Sequence, residues 1–358
     1  MKVTNLGIKN FRGLNETNIN TDSEYVVFLG NNGEGKTSII ESIYYCFTGS
    51  SFRTKGTKYI VNNKKDNFEV KCTVNDDEKI YNIRAEFKND KKQFFINDKL
   101  IKDRRDLIYN FPTIVFVSED IDFITGTPSE KRKFFDQVIS LCDEEYLSLI
   151  KKYKSIITER NKLLKIEDKS LFSINDETLA ELNEKIQIKR RKAVNSINEI
   201  IKKYYGIFFE KENRIEIEYK KNLDAEDKET ILRILKDNAE GDIFAEVTRK
   251  GIHRDDFIIK KGIHNYVNYA SKGQLRLLAL LYRFAEVKYL YENNNRKPFI
   301  LIDDVFLELD KARRKIFFEN LDGFSQMFLT FLPDENYFEL SQTKSLYYKI
   351  SDGNIEKL

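Results

Sequence analysis

The chain is short of the features that would settle its class at once. Its 358 residues include only three cysteines and two histidines. Cys46, Cys72 and Cys142 stand far apart with no C-x-x-C pair, which suggests neither a zinc site nor a disulfide framework and fits a reducing compartment. His253 and His264 are isolated, and two lone imidazoles read as structural, because zinc sites depend on ligand number. No apolar run is long enough to span a bilayer: "LRLLALLYRFAEV" is interrupted by Arg283. The opening "MKVTNLGIKNF" has no apolar signal-peptide core. A cytoplasmic protein without membrane attachment is expected. Charge of one sign is also lacking. A net charge of +3 neither demands nor excludes nucleic acid, so any basic patch has to be local.

What is present is ordered in blocks. "YVVFLG" (Tyr25–Gly30) reads as a buried strand, and "KTSIIESIYYCF" (Lys36–Phe47) as a helix with Ile39, Ile43 and Phe47 on one face. "NFEVKCTV" and "KIYNIRAEF" alternate as strands do, and "PTIVFVS" reads as another buried strand. "TPSE" (Thr127–Glu130) is a capping box with proline at the first helical position. After it Phe135, Ile139, Cys142, Tyr146, Leu149, Tyr153 and Ile156 recur at steps of four and three, predicting one long helix. "LKIEDKSLFSIND" breaks that stripe. A second, from Leu179 to Tyr204, is expected to end at Gly206, and the two read as an antiparallel helical hairpin. Strands are expected again at "DIFAEVT", "DDFIIK" and "HNYVNY", then at "KPFILIDD" and "SQMFLTFL". The expected organisation is an α/β head built from both ends of the chain, residues 1–124 and 241–358, with a helical lobe, 125–240, inserted.

"GNNGEGKT" (Gly30–Thr37) fits G-x-x-x-x-G-K-[ST], the phosphate-binding loop, between the required strand and helix. In that reading Gly30, Asn31, Asn32, Gly33, Glu34, Gly35, Lys36, Thr37 and Ser38 surround a nucleoside triphosphate, which the helix start favours through its dipole and free amides. Lys36 reaches the β and γ phosphates, and the Thr37 hydroxyl ligates Mg²⁺. "FILIDD" supplies the metal's second partner, Asp303, at the end of an apolar strand. Asp304 follows, placed to orient or deprotonate a water. "SKGQ" (Ser271–Gln274) opens an apolar helix. Ser271 and Gln274 form an S-x-x-Q capping box, a complete structural explanation. Gly273 also bares amides there and Lys272 adds charge, so this helix start is a second candidate grip on an anion.

S-x-G-Q some 30 residues before the acidic strand end resembles the signature motif of the ABC-type ATPases. The resemblance implies ATP as ligand and a head-to-head dimer in which Ser271, Lys272, Gly273 and Gln274 meet the γ-phosphate held by a second copy. "LELD" resembles the family's D-loop and implies Asp310 at the dimer seam. "KNFRGL" resembles an element of the SMC-like and RecF-like branch and implies Arg12 near the nucleotide. Over the whole length, "TGSSFRT", "GTPSEKRKFFD", "GIHRDD", "SKGQLRLLALLYRFAE" and "IDDVFLELDKARR" resemble, in order, the RecF family of bacterial recombination mediators. Departures are Ile252 and Ser118 where proline is usual, and the lack of a Q-loop glutamine, which leaves Glu119 and Asp120 as metal-side candidates. "LTFLPD" has no switch histidine, and Thr330 stands nearby.

The resemblance implies a weak, DNA-stimulated ATPase that binds double-stranded DNA near single-strand junctions and gaps. It also implies work with RecR and RecO to load RecA. Candidate phosphate contacts are Arg104 and Arg105, Lys151 and Lys152 in "KKYK", and Lys189, Arg190 and Arg191 in "KRRK". A long SMC-like tether is excluded by length: helices of roughly 30–40 residues extend only about 45–60 Å. A nuclease needs a further acidic metal centre, a small-molecule kinase has no use for S-x-G-Q, and a transporter ATPase needs membrane partners.

Overall fold

The computed structural model describes residues 1–76, 78–165, 172–209, 215–333 and 344–358, without the side chains of 172–174, 307 and 308. The chain opens with β1 (Lys2–Lys9), β2 (Thr17–Asn20), β3 (Tyr25–Leu29), α1 (Lys36–Thr48), β4 (Phe68–Asp76), β5 (Lys79–Lys88), β6 (Lys91–Ile96), β7 (Lys99–Leu100), α2 (Arg105–Asn110) and β8 (Thr113–Phe116). Then come α3 (Ile121–Thr125), α4 (Pro128–Cys142), α5 (Glu144–Leu164), α6 (Phe172–Phe209), β9 (Ile215–Lys220), α7 (Lys228–Asp237), α8 (Ala239–Ala245), β10 (Asp256–Lys261) and β11 (His264–Asn265). The last elements are α9 (Lys272–Asn294), β12 (Phe299–Ile302), α10 (Lys311–Asn320), β13 (Gln326–Phe331), β14 (Ser345–Ser351) and β15 (Asn354–Lys357). Contacts divide the chain into two units, 1–118 with 290–358, and 119–289. These borders differ from the expected 124/125 and 240/241. The reason is that β10 and β11 pair with β9 in a sheet of their own and so remain with the helices.

The first unit is built from both ends of the chain, as the sequence predicts for an α/β head. One sheet is antiparallel, in the order β2-β1-β4-β5-β6-β7; the other, β15-β14-β3-β13-β12-β8, is parallel from β14 to β8. Alternation in β1, β4 and β5 turns Leu6, Ile8, Val70, Cys72, Ile83 and Ala85 to one side, into a cluster with Ile39, Ile43 and Phe47 of α1. Phe28, Leu301 and Phe328 of the parallel sheet join the same cluster, so α1 fills the space between the sheets. β3, β12 and β13 are buried on both faces, which is why they read as unbroken apolar runs. The one amide among them, Gln326, ties the sheets together: it accepts from Val3 N (2.7 Å) and donates to Thr21 O (2.6 Å) and Ser23 O (2.8 Å).

The second unit carries the helical hairpin. Arg160 of α5 meets Asp176 of α6 and Tyr146 meets Arg190, so position climbs on one helix as it falls on the other. The predicted capping box is present, with Thr127 and Glu130 bonding reciprocally. Four local expectations are corrected. The long helix is two, because Asp143 leaves helical geometry (φ −137°, ψ 104°) to accept from Tyr146 N. α6 passes through Gly206 to Phe209. "DIFAEVT" is largely helical, in α8, where Asp242 is buried to accept from Arg160 Nη1 at 2.8 Å. The break between the stripes is shorter than expected, since α6 begins at Phe172; residues 166–171 lie outside the described residues.

The unit's interior is unusually ionic. Arg190, fully buried, donates to Asp136 Oδ1, Asp255 Oδ2 and Ile252 O, each at 2.9 Å. Asp255 also accepts from Asn222 N (2.8 Å) and from Tyr219. His253 fits its structural reading: Nδ1 lies 2.8 Å from Tyr153 Oη and Nε2 2.8 Å from Thr248 O, and burial holds its pKa below the ordinary imidazole value. "GIHRDD" is therefore a hub joining α4, α5, α6 and β9. Replacing Arg190 by leucine should strand Asp136 and Asp255 and destabilise the protein by about 3–5 kcal/mol. Urea unfolding measures this, and a change under 1 kcal/mol would contradict the hub.

Candidate nucleotide-binding site

The site lies at the carboxyl edge of the parallel sheet, where such sheets bind ligands. β3 leads into the glycine-rich loop and β12 into the acid pair, with β13 between them. Register pairs Phe28 with Thr330 and Ile302 with Leu329, so Thr330 stands level with Asp303.

The loop adopts conformations that only its glycines take easily: φ is +88° at Gly33 and +115° at Gly35. A side chain at Gly35 would also strike Leu14 Cδ2 at 2.9 Å. Glu34 staples the loop, accepting from Asn31 N (2.6 Å) and Nδ2 (3.1 Å), and these bonds hold its carboxyl below the usual range. Asn31, Asn32 and Gly33 are exposed. Side chains cap α4, α5, α7 and α10, whereas α1 starts at Gly35 with no side-chain cap and no acid in its first turn. Its first amides, at Lys36, Thr37 and Ser38, are thus presented with the positive end of the helix dipole.

Lys36 is almost wholly buried and extends back along the loop to Gly30 O (2.9 Å) and Asn31 O (3.3 Å), with Asp304 Oδ2 at 3.6 Å. Thr37 Oγ1 donates to Asp303 Oδ1 at 3.1 Å. Burial, then the neighbouring Asp304, push the Asp303 pKa up to about 6, against the pull of hydrogen bonds from Thr37 and Thr330. Asp304 has left-handed φ (+51°), and Thr330 Oγ1 accepts its N–H at 2.8 Å. Lys36, Thr37, Asp303 and Asp304 are therefore brought together as the motifs require.

Arg12 is engaged by partners within its own unit. Its Nε and Nη2 grip the buried Glu41 of α1 (3.0 and 2.7 Å), Nη2 also reaches Thr54, and Nη1 donates to Tyr59 O. With all three nitrogens engaged, it clamps α1 to the segment after it. Arg53 is the freer cation: its side chain is 42% exposed, touches Glu41 at 3.3 Å, and its charge acts on Asp303. Glu41 and Arg53 were not legible as site residues. Arg53 lay inside "TGSSFRT", a segment with no assigned role, and a glutamate on a helix gives no signal.

Ser271, Lys272, Gly273 and Gln274 lie in the other unit, all exposed at the start of α9. The capping box is formed, Gln274 N to Ser271 Oγ at 3.2 Å and Ser271 N to Gln274 Oε1 at 2.9 Å. Asp310 caps α10, accepting from Arg313 N (2.8 Å) and pairing with its guanidinium (2.9 Å). Asp120 is engaged by Arg283 at 2.6 Å, which spends the carboxylate proposed for the metal side; Glu119 is exposed.

Among the candidate DNA contacts, Arg190 is corrected: a cation buried in the Asp136–Asp255 hub cannot meet phosphate. Arg104 donates to Gly49 O at the end of α1 (3.0 Å), and Arg105 pairs with Asp103 (2.6 Å). Lys189 pairs with Asp143 (2.6 Å) and Glu145 (2.8 Å), and Arg191 with Glu226. Lys151 and Lys152 are exposed on α5.

The family model that matches, over residues 2–350, is the RecF/RecN/SMC N terminal domain. A DNA replication and repair protein RecF from Treponema pallidum is 32% identical over 96% of this chain and 98% of its own. Its counterpart from Thermoanaerobacter pseudethanolicus is 35% identical over 100% of both chains. Among solved structures, that of the recombination mediator protein RecF-ATP in the RecFOR pathway matches with a TM-score of 0.90 at 29% identity, over 99% of each chain. The SmcHead bound to the C-winged helix domain of ScpA matches at 17% identity and a TM-score of 0.60, over 100% of this chain and 97% of that one, a likeness of fold.

The raised Asp303 pKa has a sign that can be tested. The ordinary value is 3.8 and the folded value about 6, so the penalty for ionising this group is absent below 3.8 and complete above 6. Without ligand, Asp303→Asn should be more stable than the parent at pH 8 by on the order of 2–3 kcal/mol, the advantage vanishing near pH 4. Urea midpoints across that range decide it; a pH-independent difference would refute the burial argument.

Proposed function

The chain belongs to the RecF/RecN/SMC N-terminal domain family, among its RecF members, and from there we propose that it is an ATP-dependent DNA-binding switch in recombinational repair and replication restart. The observation that carries the reading is the convergence of Lys36, Thr37, Asp303 and Asp304 beside an uncapped helix start. The phosphates of ATP replace the carbonyl and carboxylate partners of Lys36, while the first amides of α1 receive phosphate oxygens.

The donor set fits Mg²⁺. Thr37 Oγ1 and Asp303 Oδ1 are adjacent hard oxygens, 3.1 Å apart, the donor type Mg²⁺ takes. Bound there, the cation would supply charge neutralisation for the phosphates. Asp304, two oxygens wide and pinned by Thr330, orients the attacking water and takes up its proton. Lys36 holds the γ-phosphate charge as it is transferred.

The exposed start of α9 gives the switch its second grip. With Ser271 and Gln274 satisfying each other's amides, the remaining first-turn donors and Lys272 stay open to the γ-phosphate carried by another copy. ATP binding then closes a homodimer on double-stranded DNA near gaps and junctions, and slow hydrolysis reopens it, assisting RecR and RecO in loading RecA. Lys151, Lys152, Arg104, Arg105, Lys189 and Arg191 are the candidate phosphate contacts; surface ion pairs contribute about 0–1 kcal/mol and exchange readily for phosphate. Among the described residues no helix is long and apolar enough to cross a membrane.

Lys36→Met should weaken ATP binding at least on the order of a hundredfold, about 2.7 kcal/mol, by isothermal titration; normal affinity would refute the P-loop assignment. Ser271→Arg should bind ATP as the parent does yet fail to dimerise. Light scattering with no nucleotide, ADP, or ATP plus Mg²⁺, each with and without duplex DNA, reads this. Equal dimer formation by variant and parent would reduce "SKGQ" to a helix cap.

A further inference from the structure

Thr330 is one of two polar side chains on a strand buried along its whole length, and its partner in that respect, Gln326, is spent on joining the sheets. The Thr330 hydroxyl lies among three groups of the acid pair. Its oxygen accepts the Asp304 N–H at 2.8 Å, and stands 3.1 Å from Asp303 Oδ1 and 3.0 Å from Asp304 Oδ1. A hydroxyl has one proton to donate. With one lone pair committed to the Asp304 amide, that proton serves one carboxylate or the other, never both.

Asp303 has an alternative donor in Thr37, at 3.1 Å, whereas Asp304 Oδ1 has Thr330. We propose that Thr330 is a positioning residue that couples the two acids: its proton turns to Asp304 when a divalent cation takes the charge of Asp303, and so fixes Asp304 for water only once the metal is in place. The inference rests on the ATPase reading above. It assigns this β13 hydroxyl a task beyond holding the turn, namely making the water-orienting carboxylate report on metal occupancy.

The coupling has an unusual signature. While the proton sits on Asp303 it competes with the cation, so removing the hydroxyl should tighten metal binding and slow turnover together. For Thr330→Val, Mn²⁺ affinity in the presence of a non-hydrolysable ATP analogue, read by electron paramagnetic resonance, should rise by about three- to tenfold. The kcat should fall by about ten- to a hundredfold with KM for ATP within about threefold. Thr330→Ser, which keeps the hydroxyl, should restore both, and Thr330→Ala substitutes for the valine variant should that fail to fold. Metal affinity and kcat falling together without rescue by serine would mean a structural role only, and an unchanged pair of values would remove the role altogether. Failure of the parent protein to bind Mn²⁺ with the analogue would overturn the ATPase reading itself, and this inference with it.

Discussion

The nucleotide-binding unit depends on a single placement, β13 between β3 and β12. β3 and β12 are two strand spacings apart, roughly 10 Å, which leaves room between them for a hydroxyl-bearing side chain level with the acids. Thr37 and Asp303, 266 positions apart in the chain, meet only because of it. Because these strands are buried on both faces, their apolar side chains hold the order, and the polar groups at their carboxyl ends inherit a fixed spacing. α1 completes the arrangement: one side fills the core between the sheets, and its first turn faces the site.

The second unit has a different logic. Its centre is not only apolar: Arg190 and Arg160 each sit buried among carboxylates drawn from separate elements. Such pairs add little net stability over apolar packing, but each broken pair is costly. They enforce one mutual arrangement of α4, α5, α6, β9 and the "GIHRDD" turn. That also decides which cations remain for a polyanion. In "KRRK" one arginine is structural and its neighbours are on the surface, a distinction that residue type cannot reveal.

What could be read from sequence followed the range of the physics involved. The P-loop, the acid pair, the Thr127 and Ser271 capping boxes and the buried parallel strands rest on local spacing, and each stands where expected. Domain borders, the break at Asp143 and the helical state of "DIFAEVT" depended on partners distant in sequence. Asp143 could have continued the stripe, but its carboxylate is better placed capping Tyr146; Asp242 reads as a strand start until Arg160 is seen beside it. Arg12 was found by resemblance, and its grip on Glu41 was not, because a helix glutamate carries no pattern. Thr330 reads in sequence only as a polar residue near the place of a missing switch histidine.

The strand order also has a consequence for the protein's birth. β3 is flanked by β13 and β14, both close to the other end of the chain. At ribosomal rates of about 5–20 residues per second, the strand that leads into the phosphate loop waits roughly 15–60 s for its first neighbour. Throughout that time an entirely apolar segment with two open edges is exposed to the cell. Until β13 is made, β3 is an unpaired apolar strand, the kind of edge that invites wrong pairings, so the late strands protect the phosphate loop's own support as well as spacing its residues.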